Sequence, residues 1–159
     1  MADRMIPAQG ARAPAFTLDS DEGKKVRLAD LKDAPVVVYF YPKDDTPGCT
    51  MEAVQFSELA GDFDKLGIRV YGISPDTVES HCNFIRKHSL NVRLLADPEH
   101  KVAAKYGAWV EKNLYGRKYW GVKRATFLID ADGRIARVWP NVRPRGHAGD
   151  VLAAAQTLP

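Results

Sequence analysis

The run Val36-Val37-Val38-Tyr39-Phe40-Tyr41 constrains the fold more than any other feature of this chain. Strand side chains alternate between two faces, and here both faces are apolar, so the strand requires cover on both sides. A sheet with one face in water would alternate apolar with polar instead. The run therefore predicts a central strand with helices above and below it, and Pro42 ends it.

The flanking text extends that layout. Ala15 to Leu18 and Lys25 to Leu28 enclose Asp19-Ser20-Asp21-Glu22-Gly23 and read as an N-terminal β-hairpin. Thr46 stands at a capping position with Pro47 at the first helical residue, and Met51, Leu59, Phe63 and Leu66 give one apolar helix closed by Gly67. Ile68 to Ile73 is a second buried strand. Asp76 and Glu79 have capping-box spacing for a helix in which Val78, Cys82 and Ile85 share a face. Asp97-Pro98-Glu99 opens another helix that stops at Gly107, and Glu111 to Trp120 reads as a loop rich in Tyr and Lys. Ala125 to Ile129 and Ile135 to Trp139 form a hairpin around Asp130-Ala131-Asp132-Gly133, and a last amphipathic helix starts at Gly146. Early βαβ followed by a late antiparallel pair predicts an α/β, thioredoxin-like fold: a central mixed β-sheet flanked by helices, with an N-terminal β-hairpin.

At 159 residues with 45% apolar content, the chain is long enough for one continuous core, and no linker divides it, so residues 1–159 read as a single domain. The formal charge of +3 is too small to demand a nucleic-acid or membrane partner. Arg134, Arg137, Arg143 and Arg145 lack the density and aromatic interleaving of a nucleic-acid surface and read as a solvated face. No leader-like apolar segment or spanning stretch is present, so a soluble, cytoplasmic protein is expected. His81, His88, His100 and His147 show no metal-ligand spacing and read as surface or helix residues. No metal or organic cofactor is expected.

Two cysteines, Cys49 and Cys82, are too few for a disulfide scaffold, which directs attention to their reactivity. Cys49 follows a buried strand and falls in the first turn of a helix, where unpaired backbone N–H groups and the positive end of the helix dipole favour the thiolate. Preceded by Thr46-Pro47-Gly48 rather than by apolar neighbours, it reads as poorly placed for core packing. Gly48 permits close backbone approach of a small ligand, Thr46 offers a hydroxyl, and Pro42 can shield the sulfur from water. Glu52 stands where a Cys-x-x-Cys motif would have its second thiol, so dithiol exchange is disfavoured and reaction with an electrophile such as a peroxide remains.

Pro42, Thr46 and Cys49 match the Pro-x-x-x-Thr/Ser-x-x-Cys signature of the peroxiredoxins. The longer string Tyr41-Pro42 to Thr46-Pro47-Gly48-Cys49-Thr50 resembles the bacterioferritin-comigratory, or peroxiredoxin Q, branch. Ala13 to Phe16, Gly72 to Asp76, Glu111-Lys112 with Tyr115-Gly116, and Arg124 to Asp130 are similar to segments of that branch. The resemblance implies a hydroperoxide reductase in which Cys49 is the peroxidatic thiol and passes through a sulfenic acid. Arg124 would then hold the thiolate and, with Thr46 and the amides of Gly48 and Cys49, bind the peroxide oxygens. Glu52, one helical turn on, is either an orienting partner for an arginine or a solvated carboxylate.

The chain departs from the branch in its second cysteine. Val54 stands where many members carry a resolving cysteine, and Ile85 aligns with the position used by others. Cys82 lies one turn before Ile85, on the same face. Two cycles stay open: Cys82 resolves Cys49 as an intramolecular disulfide recycled by thioredoxin or a similar dithiol, or an external thiol does so and Cys82 is structural. The resemblance also implies a monomer. A non-enzymatic thioredoxin-like interaction module is the remaining alternative.

Overall fold

A computed structural model describes residues 5–31 and 33–158. In chain order the elements are β1 (Thr17–Ser20), β2 (Lys25–Arg27), β3 (Val36–Phe40), α1 (Pro47–Glu58), α2 (Ala60–Lys65), β4 (Arg69–Ser74), α3 (Val78–His88), β5 (Arg93–Ala96), α4 (Lys101–Lys105), β6 (Trp109–Leu114), β7 (Arg117–Val122), β8 (Ala125–Ile129), β9 (Ile135–Trp139) and α5 (His147–Ala155). Seven strands form one sheet in the order β2-β1-β5-β4-β3-β8-β9. β3, β4 and β5 run parallel, while β8 and β1 pair antiparallel to their neighbours β3 and β5. This is the thioredoxin-like mixed sheet that the sequence predicts.

The double-sided strand behaves as its composition requires. Every residue of β3 is buried. Val36, Val38 and Phe40 join an apolar cluster with Phe16, Tyr106 and Phe127, whereas Val37, Tyr39 and Tyr41 join another with Phe56, Phe63, Phe84 and Val151. Helices α1, α2, α3 and α5 therefore cover one face, and α4 with the N-terminal segment covers the other.

Several expectations are corrected. β5 carries no strand signal of its own, because Arg93-Leu94-Leu95-Ala96 is short and lacks β-branched residues; it is a strand because it fills the slot between β4 and β1. The expected loop from Glu111 to Trp120 is instead the β6–β7 hairpin, closed by Tyr115 (φ 53°) and Gly116 (φ 82°) in the left-handed conformations of a type I′ turn. Its polar, largely exposed surface concealed the strand pattern. The first helix breaks at Leu59, whose amide is shared between the Gln55 and Phe56 carbonyls. The N-terminal hairpin is shifted, with Asp19 and Ser20 in the strand and not in the turn. Asp97 accepts the Val102 and Ala103 amides, so the fourth helix begins only at Lys101.

Helix α3 carries the largest correction. Thr77, not Asp76, is its N-cap, accepting the Ser80 amide at 3.1 Å, while Asp76 accepts from the Ser74 hydroxyl and the Asp44 amide. Its buried residues are His81 and Phe84; Val78, Cys82 and Ile85 are only half-buried. His81 and His147 lie within the protein and not on its surface, because each finds polar partners there.

Candidate active site

β3 delivers the chain to the loop Pro42–Thr46, and α1 begins immediately after it. Thr46 has extended backbone (φ −98°, ψ 156°), and the first N–H of the helix ladder comes from Thr50, donated to the Thr46 carbonyl at 2.8 Å. The amides of Gly48 and Cys49 precede that bond and form the positive end of a 12-residue helix. The Thr46 hydroxyl does not cap α1. It donates to the Lys43 carbonyl at 2.9 Å and so closes the loop, leaving its oxygen free to accept. Pro42 is half-buried at the junction.

Cys49 is 1% exposed and packs in the apolar cluster with Tyr39, Ala53 and Phe56. The expectation that its polar neighbours keep it out of the core is therefore corrected. Pro47 is exposed and Gly48 half-buried, but the helical turn swings the next Cβ inward onto the face that also carries Ala53 and Phe56.

A charged side chain from far along the chain reaches the thiol. β8 lies antiparallel to β3 with Ala125 opposite Phe40, which places Arg124 beside the loop that follows β3. Its two terminal guanidinium nitrogens divide their work: Nη1 donates to Glu52 Oε1 at 2.8 Å, and Nη2 reaches Cys49 Sγ at 3.4 Å. Glu52 lies one turn beyond Cys49 on the same helix face and is 1% exposed. The alternative of a solvated carboxylate is thus excluded by its burial. Burial pushes the Glu52 carboxyl up to about 7, against the pull of Arg124, and among the described residues its Oε2 has no hydrogen-bond partner. Tyr39, stacked on Phe56 at 4.7 Å, has a hydroxyl that also lacks a partner among the described residues; burial first, then the negative Glu52 and Cys49, raises it well above the usual phenol range.

Gly48 is required by this close packing. A Cβ there would lie 3.1 Å from Arg124 Nη2 and 3.6 Å from Pro144 Cγ. The structure thus brings together Cys49, Gly48, Glu52 and Arg124, with Thr46 and Pro42 in the adjoining loop.

Cys82 does not join them. Both cysteines are free thiols, and Cys82 Sγ donates to the Asp21 carbonyl at 3.1 Å, beside the turn between β1 and β2.

A second polar group, with no motif in the sequence to mark it, adjoins the site. Asp44, 7% exposed, accepts the Tyr41 hydroxyl at 2.6 Å, the Ser80 hydroxyl at 2.8 Å and a contact from His81 Nδ1 at 2.7 Å. Asp44, Asp76 and His81 bring ligand-type atoms within 4.8 Å of one another, but each of these atoms is engaged in a hydrogen bond, so they form a network and not an open cation cradle.

A thioredoxin-like fold with a thiol at a helix start, gripped by an arginine and without a second cysteine in the same turn, defines a thiol-dependent oxidoreductase. Residues 9–138 match the AhpC/TSA family, and the chain belongs to it as a peroxiredoxin of the Bcp/peroxiredoxin Q kind, a thiol peroxidase. It is 48% identical to a putative peroxiredoxin of Coxiella burnetii, over 90% of this chain and 95% of that one. Peroxiredoxin Bcp of Bacillus subtilis is 43% identical, over 94% and 93%. A cysteine-to-serine mutant of Xanthomonas campestris peroxiredoxin Q superposes with a TM-score of 0.87 at 35% identity, covering 98% of each chain. The bacterioferritin comigratory protein of the same organism, described for its alkyl peroxide reduction activity, gives 0.85 at 37% identity, over 89% and 90%.

Proposed function

We propose that Cys49 is the peroxidatic cysteine and that Thr46, Arg124, Pro42 and the amides of Gly48 and Cys49 form the peroxide site, with Glu52 orienting Arg124. The observation that carries this reading is the Arg124 fork, one nitrogen on Glu52 and the other 3.4 Å from Cys49 Sγ. The Cys49 thiolate attacks one oxygen of the peroxide bond, the O–O bond breaks, and the alkoxide or hydroxide leaves and takes up a proton as alcohol or water. Cys49 is left as sulfenic acid. The guanidinium and the free amides stabilise charge that develops on the oxygens, in a site shielded from bulk water. Hydrogen peroxide and organic hydroperoxides are the proposed substrates, in keeping with the alkyl peroxide activity of the Xanthomonas relative.

Resolution falls to Cys82: its thiol attacks the sulfenic sulfur, water leaves, and a Cys49–Cys82 disulfide forms, to be reduced by thioredoxin or a similar dithiol. The bond of Cys82 to the Asp21 carbonyl favours a second reading, in which an external thiol resolves Cys49 and Cys82 stays structural. Among the described residues no helix is long and apolar enough to cross a membrane. The proposed context is a cytoplasmic monomer whose 159 residues form one domain.

Mass spectrometry of reduced protein after one equivalent of hydrogen peroxide tests both cycles. Wild type, Cys49→Ser and Cys82→Ser are compared without reductant. Loss of two hydrogens in wild type alone, mapped to a Cys49–Cys82 peptide, establishes the intramolecular cycle. Sulfenic or sulfinic acid on Cys49 with Cys82 untouched assigns resolution to an external thiol, and an unoxidised Cys49 overturns the whole assignment.

A further inference from the structure

Consecutive aspartates in the Cys49 loop both reach helix α3. Asp44 is buried and bonds Ser80 and His81 near the start of that helix. Asp45 is exposed and bonds Lys87 Nζ at 2.7 Å and His88 Nε2 at 2.8 Å at its end. Asp45 adopts φ 59°, a left-handed conformation that Asp and Asn tolerate, and this turns the second carboxylate along the helix. The loop is thereby fastened to α3 at two points, with Cys82 between them.

The inner point has a fixed proton count. His81 Nε2 lies 2.9 Å from the Leu95 carbonyl, which can only accept, so Nε2 carries a hydrogen. His81 Nδ1 lies 2.7 Å from Asp44 Oδ2. A carboxylate facing a bare ring nitrogen would set two acceptors against each other, so one proton must lie between them. That proton joins loop, helix and β5 into one buried unit.

The two thiols are held by different partners. Cys82 Sγ is tied to Asp21 beside β1, whereas Cys49 Sγ is tied to Arg124 at the start of β8. Both contacts have to break before the two sulfurs can bond to each other.

We propose that Asp44 and Asp45 are positioning residues that staple the peroxidatic loop to α3, Asp44 through the proton shared with His81 and Asp45 through Lys87 and His88. The staple keeps Cys49 under Arg124 for peroxide attack and has to open before Cys82 arrives. It rests, for this last step, on the reading of Cys82 as the resolving thiol. A tight staple lengthens the life of the sulfenic acid and admits further oxidation by peroxide to sulfinic acid.

The test combines amide hydrogen exchange of α3 in the reduced protein with the rate of disulfide formation after one equivalent of hydrogen peroxide. Asp45→Asn keeps a residue suited to φ 59° and removes only the charge. It is expected to speed α3 exchange and disulfide formation alike by about threefold, as an exposed pair allows. Asp44→Asn acts at the buried point, where loss of a partner is costly, and is expected to exceed tenfold where the protein still folds. In reduced wild type the shared hydrogen should give a downfield imidazole N–H resonance, lost in Asp44→Asn and in the disulfide form. Unchanged α3 exchange in Asp45→Asn overturns the staple, as does faster exchange with an unchanged rate of disulfide formation. Faster exchange with no Cys49–Cys82 disulfide in any protein supports the staple and overturns the resolving role of Cys82 instead.

Discussion

The Glu52 carboxylate receives one arm of Arg124 at 2.8 Å, and this bond aims the other arm at Cys49. The arrangement uses the planar fork of arginine, which presents two donors in fixed directions from one side chain.

Arg124→Lys should therefore fail as a conservative change. A lysine carries the charge but cannot reach Glu52 and Cys49 with a rigid fork. The rate constant for Cys49 oxidation, followed by stopped flow with hydrogen peroxide, should fall on the order of 10²-fold, and retention of the wild-type rate would refute the divided fork.

Gly48→Ala places a methyl group 3.1 Å from Arg124 Nη2, so the guanidinium has to shift by a few tenths of an ångström. The same stopped-flow measurement should show a loss on the order of tenfold. Thermal stability should change little, because the displaced atom is the end of a flexible side chain.

Glu52 and His147 should give stability slopes of opposite sign with pH. Glu52 titrates at about 7 in the folded protein and 4.5 as a free side chain, so the folded state holds the extra proton between these values. Stability contributed at this site falls as pH rises from about 4.5 to 7. His147 is driven down to about 4 by burial, within reach of Thr126 at 2.8 Å, against an ordinary 6.5. There the unfolded chain binds more protons, and stability falls as pH drops from about 6.5 to 4. Urea unfolding across this range should show that Glu52→Gln steepens the acid-side loss, whereas His147→Gln removes it.

Thr77→Ala removes the cap of α3 and should cost about 1 kcal/mol. Glu79→Ala, at the position a capping box would use, should stay within about 0.5 kcal/mol. Denaturant midpoints decide between the two, and an equal loss in both would restore the capping box.

Much of this protein is written locally. The two-faced run of β3 dictates a covered sheet, and Thr46-Pro47-Gly48-Cys49 dictates a helix start with a thiol in its first turn, since both depend on neighbours a few residues apart. The hairpin of β8 and β9 is legible for the same reason. Arg124 was reached only through the family resemblance: it is 75 residues from Cys49, and nothing near it in the chain distinguishes it from other arginines.

What the chain's own residues could not declare depended on partners brought by the sheet. β5 has the composition of a helix and became a strand by filling a gap between β4 and β1. The stripe of Val78, Cys82 and Ile85 was the apolar reading of α3, yet the fold buries His81, because Asp44 and the Leu95 carbonyl satisfy both of its ring nitrogens. Cys49 likewise became a core residue as well as a reactive one. Periodicity and propensity act over one or two turns of chain and were fixed by the sequence alone. Burial of a polar group depends on whether a distant partner offsets its desolvation, and only the tertiary structure supplied those partners.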